Sequence, residues 1–460
     1  MMFRSLITGI DTFFFRRISA SGFGLMRLLW GFTAFAYLLM QWSDVTEFYS
    51  NAGILPTPLT PLITRSVYHF TLLQWITTPE AVFTLYLLLL FTLACAAIGL
   101  STRLMTITAT VLLFSFHERN PFTLGGGDTV LRHIGFLLCI APGLCAFSLD
   151  RLEKQWKAWK RTGRLLAPLR MSIWPYRLLL WQMIVIYGTS LWFKSLGTMW
   201  WQGTAVGAAL HHPTFVRLPL WMVDLFIPLT PFVDIGVLAF HALWLTLLVP
   251  QYLWSKIPLL GSIQRKRLAI GLGLLFHGSI LFLMDAGSFS PAVFSAYLGL
   301  LLEEDFIAIS NRINLHWQGK IAVLYDGKCG LCQRSVFLLT LFDHLRRLRC
   351  IDYWKKTERK AVAPHLTTST LNRAMHVVFP QGVRFQVLGV RATGRKPRTS
   401  NLEPKTYKGF DGFRELAANL PFLWLLLPIL YLPGMTPVGR WVYAQIAERR
   451  KRCSHKSCSL

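Results

Sequence analysis

Eight apolar runs, most of them long enough to cross a bilayer, constrain this chain more than any other feature. They lie at about 22–42, 80–100, 104–117, 129–148, 174–193, 229–253, 268–285 and 288–303, the third and eighth being short. A run of ~20 apolar residues spans the hydrocarbon core as a helix, because only a helix or a closed barrel satisfies its backbone polar groups without water. The composition agrees. Of 460 residues 53% are hydrophobic, the mean hydropathy is +0.43, and charged residues reach only 15%, where soluble domains carry about a quarter. The expected fold class is a polytopic α-helical membrane protein of about eight transmembrane helices, followed by a smaller domain.

The net charge is +26, from 48 Lys and Arg against 22 Asp and Glu. In a soluble chain that balance would suggest nucleic acid. Here the basic residues sit between apolar runs, where they orient helices and touch anionic lipid. Arg4, Arg16 and Arg17 precede the first run. Arg103 follows the second, Arg151 to Arg170 follow the fourth, and Lys256 to Arg267 follow the sixth. The alternate loops are poorer in Lys and Arg, so the N-terminus is expected in the cytoplasm, and eight crossings return the chain there. The expected setting is the inner or plasma membrane, multi-pass, with membrane lipid as a partner and no nucleic acid. No short apolar core with a cleavage site follows the basic start, so the first run reads as a signal anchor.

From about residue 306 the pattern changes. "IAVLYDG" reads as a short strand, "CQRSVFLLTLFDHL" as a helix, "LRRLRCIDYW" as a second strand, and "AMHVVFPQGVRFQVLGV" as two strands around a turn. "DGFRELAANL" is an amphipathic helix. "FLWLLLPILYL" is only eleven residues between prolines, too short for a ninth span. The domains expected are 1–305 in the membrane, a 306–318 linker, an α/β domain over 319–452, and a basic tail at 453–460.

Cys329 and Cys332 stand three residues apart, between the strand and the helix. Thiol–disulfide exchange needs one thiolate that attacks and one thiol that resolves the mixed disulfide. A helix N-terminus lowers the first cysteine's pKa, so Cys329 is the expected nucleophile and Cys332 the resolving thiol. Two other readings stand beside this one. The pair can be inert structural thiols, or half of a zinc site completed by Cys453, His455 and Cys458; the irregular tail spacing argues against metal. Cys350 falls in a strand and reads as core, and Cys95, Cys139 and Cys145 lie in apolar runs as small hydrophobes.

"LYDGKCGLC", "TYKGFDGFRELAANLP" and "VYAQIAERR" together resemble the DCC-type thiol–disulfide oxidoreductases over about 319–452. The resemblance implies a thioredoxin-like α/β fold, a protein-disulfide reductase type of activity, and functional positions at Asp326, Cys329 and Cys332. It implies a redox-active disulfide with no cofactor or metal required, and a protein thiol or disulfide, or a small thiol, as partner. This chain departs from the pattern in a longer insertion at 386–405 and in Arg373-Ala374 where thioredoxins carry a proline.

Ionisable groups inside a membrane are functional suspects by default. "HERNPFTLGGGDTVLRH" gathers His117, Arg119, Asn120, Asp128 and Arg132; its bland reading is a hairpin pairing its own charges. Lys194 lies at the outer end of the fifth run, where it is either a desolvated base or a snorkelling lysine beside Trp200 and Trp201. His277 sits midway along the seventh run. These clusters, with Tyr187 and Trp201-Gln202-Gly203, resemble the HTTM family, related to vitamin K-dependent γ-glutamyl carboxylase, over about 15–305. That resemblance implies Lys194 as a base toward a quinone or lipid-like substrate; Tyr187 and His277 stand beside it as further membrane-site candidates. A non-catalytic membrane scaffold is the third expectation.

Overall fold

The computed structural model describes residues 9, 11–63, 70–258, 261–313, 320–343, 346–379 and 405–448. The second strand expected in the stretch 374–390, the 386–405 insertion but for Lys405, and the tail with Cys453, His455 and Cys458 lie outside them. The chain divides into two compact units. One comprises Met1–Lys157 and Leu166–Glu303, the other Ala158–Leu165 and Glu304–Leu460.

The first unit is helical. Among the described residues, four of its segments are long and apolar enough to cross a membrane: Ser21–Leu39, Pro79–Ile98, Leu220–Leu248 and Arg265–Leu283. They mark the chain as a membrane protein. The remaining expected spans also form helices, with other lengths or compositions. Thr102–Arg119 has 18 residues but ends in His117, Glu118 and Arg119. Gly126–Ile140 has 15, about 22 Å at 1.5 Å per residue, because Pro142 follows and disfavours helix before it. Trp174–Leu196 has 23 and carries Arg177 and Lys194. Phe289–Gly299 has 11. Leu220–Leu248 is not one helix. Leu220–Asp224 and Thr230–Leu245 are joined through a 3-10 turn at Ile227–Leu229, which contains Pro228, a residue with no N–H for the helical ladder.

Large apolar side chains cover the outside of this unit: Phe32, Phe91, Trp192, Phe193, Phe232 and Phe282 are all exposed, as lipid-facing helices require and soluble ones avoid. Inside, Arg27 is completely buried. Its guanidinium donates to the carbonyls of Leu144 (2.9 Å), Ala96, Ala97 (2.9 Å), Ala146 (3.3 Å) and Phe147 (2.9 Å). Ala96 and Ala97 end the Pro79–Ile98 helix, whose last carbonyls have no intrahelical donors and carry the negative end of its dipole.

Among the described residues, the second unit holds a sheet of four strands. Ile321–Tyr325 lies centrally, parallel to Leu348–Asp352 on one side and antiparallel to His376–Val378 on the other; Thr406–Lys408 completes it antiparallel at the edge. Residues 321–324 are buried, the continuous apolar run of a strand covered on both faces. Helix Gly330–Phe342 connects the two parallel strands, as a parallel crossover demands. Helix Gly409–Asn419 buries Leu416 and Ala417 in the same core as Val323, Val336 and Val377. The stretch 421–430 breaks into a 3-10 turn and a four-residue helix, so it makes no ninth span.

Candidate functional site

The strand Ile321–Tyr325 runs into Asp326-Gly327-Lys328, and Cys329 caps helix Gly330–Phe342. The backbone N–H of Cys332 donates to the Cys329 sulfur at 3.3 Å. That interaction strengthens when the sulfur carries charge, and it sits at the positive end of the helix. Cys329 is only 1% exposed, while Cys332 is partly exposed. The sulfur best placed to be a thiolate is therefore the more covered of the two.

The loop between strand and helix is held by two carboxylates. Asp326 is buried; its Oδ1 accepts from the Lys328 N–H (3.0 Å) and from the Trp354 indole N–H (2.8 Å). Asp352, at the end of the neighbouring strand, accepts from the N–H groups of Gly327 (3.0 Å) and Trp354 (3.2 Å). Gly327 lies so close to the Asp352 carboxylate that a Cβ would collide with it. The Gln333 side chain donates to the Gly327 carbonyl at 2.5 Å, and the Lys328 ammonium lies 4.3 Å from the centre of the Trp354 ring, a cation–π contact. Asp326 thus acts on the loop backbone and on Trp354. Asp352, Trp354 and Gln333 are partners that no sequence motif singled out; the signal for Asp352 and Trp354 was the pairing of their strand with Ile321–Tyr325, a long-range fact.

Cys350 sits in the strand Leu348–Asp352, 3.6 Å from the Thr340 hydroxyl. Burial pushes its thiol up to about 11, which makes it inert at neutral pH. Among the described residues no group of three or more His, Cys, Asp or Glu is arranged to hold a metal ion.

The suspects of the helical unit fall into three places. Tyr187 and His277 meet: the Tyr187 hydroxyl lies 2.9 Å from His277 Nε2 and also bonds the Tyr297 hydroxyl. Tyr187 stacks on Trp244 at 4.7 Å. Gly273 makes room for the Tyr297 hydroxyl, which a Cβ there would strike. Tyr187, His277, Tyr297 and Trp244 are all buried, and neither His277 Nδ1 nor Trp244 Nε1 has a hydrogen-bond partner. Lys194, two turns further along the Tyr187 helix, donates instead to Ser190 Oγ at 2.6 Å, with the Trp200 ring at 5.1 Å.

The hairpin residues divide in two. Arg132 pairs with Glu118, and His117 faces Asp128 at 3.7 Å; Asp128 also accepts from the Gly125 N–H at 2.8 Å, closing the first turn of its helix. Arg119 and Asn120 turn the other way. Arg119 donates to the Leu55 carbonyl (2.6 Å), the Ser50 carbonyl (3.3 Å) and the hydroxyls of Thr60 (3.0 Å) and Thr57 (3.3 Å), while Asn120 donates to the Phe48 carbonyl (3.0 Å). Both tie the hairpin to the 48–60 segment. Tyr297 was missed by sequence reasoning, because one tyrosine in an apolar run carries no local mark.

A cysteine capping a helix, a second one turn on, and a parallel strand leading into them is the arrangement a thiol–disulfide oxidoreductase domain needs. Residues 323–456 match the DCC1-like thiol-disulfide oxidoreductase family, and the chain carries a domain of that kind. The chain is also similar to the sporulation-delaying protein SdpB of Bacillus subtilis, 23% identical over 261 residues, which is 55% of this chain and 73% of that protein. That alignment is longer than the whole second unit, so it takes in part of the helical one. No solved structure matches.

Proposed function

We propose that the chain is a membrane-anchored thiol–disulfide oxidoreductase of the protein-disulfide reductase type. The observation that carries this is the Cys332 N–H on the Cys329 sulfur at a helix N-terminus. Cys329 attacks one sulfur of a substrate disulfide and forms a mixed disulfide, expelling the other as a thiolate. Cys332 then attacks Cys329, releasing the second substrate thiol and leaving a Cys329–Cys332 disulfide. A protein dithiol or a small thiol must reduce that disulfide to close the cycle, and no cofactor is needed. Asp326 acts through the loop, fixing the Lys328 N–H and Trp354. The strand order, with one parallel crossover followed by an antiparallel pair, supports the thioredoxin-like reading of the fold. The HTTM-like helical unit crosses the membrane eight times and holds the N-terminus and the dithiol domain on the cytoplasmic side, in contact with lipid.

A second reading is favoured by the Tyr187–His277 contact: the helical unit is itself an enzyme acting on a quinone or lipid-like substrate, with Lys194 as base. Lys194→Ala with unchanged quinone turnover would eliminate it.

The deciding experiment is thiol trapping in intact cells. A membrane-impermeant maleimide is applied first, and a permeant one after lysis, with and without reduction. Cys329 and Cys332 are expected to be shielded until lysis and to shift between thiol and disulfide forms. Labelling from outside would invert the topology; a pair that never oxidises would end the redox reading.

A further inference from the structure

The helical unit contains a groove of 650 Å³ between the segment Phe13–Phe15 and the first turns of helix Trp174–Leu196. Its walls are largely aromatic, with Phe14, Phe15, Trp174 and Trp181 among them, and one charged side chain, Arg177, lies in the lining. The Arg177 guanidinium rests on the Phe13 ring, 3.6 Å from its centre. Its Nε is buried with no hydrogen-bond partner. The charge close enough to act on it is another arginine, exposed Arg16, and no carboxylate among the described residues pairs with Arg177.

A cation beside a like charge, with a buried donor left unsatisfied, is a costly arrangement unless an anion completes it. The rest of the groove is apolar, so that anion must carry a hydrocarbon part. An arginine fork matches a phosphate in two hydrogen bonds. We propose that this groove seats one anionic phospholipid, its phosphate on Arg177 and Arg16 and one acyl chain along Phe14, Phe15, Trp174 and Trp181. The two charges and the walls belong to the same two short segments, 13–16 and 174–184, so headgroup and tail are held together. None of the residues lining the groove belongs to the dithiol loop or is Tyr187, His277 or Lys194, and its test is independent of both.

The full chain in neutral detergent is exposed to equimolar dioleoyl phosphatidylglycerol and dioleoyl phosphatidylcholine, and retained lipid is counted by native mass spectrometry. One phosphatidylglycerol is expected per chain. Arg177→Gln should lower its retention about fivefold, the worth of one arginine near an anionic headgroup, and leave phosphatidylcholine unchanged. Arg16→Gln, a change at an exposed residue, should act in the same direction and answers the question even if Arg177→Gln does not fold. Trp181→Ala should weaken retention through the tail. Equal retention of the two lipids by the unaltered chain would overturn the proposal, as would arginine variants that hold phosphatidylglycerol normally. Displacement of the lipid by glycerol phosphate would overturn it too, by making the site one for a free phosphate.

Discussion

The two units use the same interaction, an ionised side chain on backbone groups, to opposite ends. In the helical unit it closes structure. Arg27 gathers the carbonyls that end one helix and the loop beyond another, Arg119 binds the 48–60 segment, and Asp234 accepts the N–H groups of Ala205 (3.0 Å) and Val206 (2.9 Å). In the sheet unit it shapes an open loop. Asp326 and Asp352 take the N–H groups of Lys328 and Gly327, and the chain leaves that loop directly into Cys329. The Tyr187–His277–Tyr297 cluster follows neither pattern: its hydrogen bonds run from side chain to side chain and hold no backbone group.

Five measurements break or sharpen that contrast. Cys329→Ser should lower thiol–disulfide exchange on a glutathionylated peptide by about a thousandfold, since a hydroxyl does not ionise at neutral pH, while Lys194→Ala leaves it within about twofold. Equal losses would mean that the two units form one reaction centre. Arg27→Leu strands several buried carbonyls at about 1–3 kcal/mol each, and should cost about 4 kcal/mol or more of stability in detergent unfolding with the sheet unit's chemistry intact. Gly327→Ala drives a methyl into the Asp352 carboxylate, at about 2 kcal/mol; exchange should fall about tenfold, and unchanged exchange would remove the loop from the mechanism. Tyr187→Phe removes one hydroxyl from a three-membered network, about 1 kcal/mol, and is expected to shift unfolding slightly without touching exchange. Least of all, Cys350→Ala should leave exchange unaltered. With its folded pKa raised to about 11, Cys350 keeps its proton at pH 8, where its thiolate fraction is about one in a thousand. Its alkylation should therefore lag that of Cys332 at pH 8 and accelerate only as the pH rises toward 11.

What the sequence displayed was what is contiguous. A bilayer demands unbroken apolar runs, so helices such as Ser21–Leu39 and Pro79–Ile98 were readable within a few residues. Cys-x-x-Cys is local, and so is the helix it opens. What the sequence hid is long-range or small. Asp352 lies 25 residues from Gly327 and Trp354 lies 28 from Asp326, and only the parallel pairing of their strands unites them. Arg27 stood alone inside an apolar run, with nothing to say that two sets of carbonyls would converge on it. The edge strand Thr406–Lys408 is three residues long, too short to show a period of two. The helices that came out shorter than their runs stop for local reasons, as Gly126–Ile140 does two residues before Pro142.

The covering of Cys329 has a kinetic meaning. A cysteine that is 1% exposed meets a bulky disulfide only in the fraction of time that its cover stands away from it. The observed rate is then the intrinsic rate multiplied by that fraction. At low substrate the dithiol is slow in proportion to how seldom it opens. At high substrate its rate levels off at the opening rate itself, and there every substrate reacts at the same speed, however good its leaving thiol.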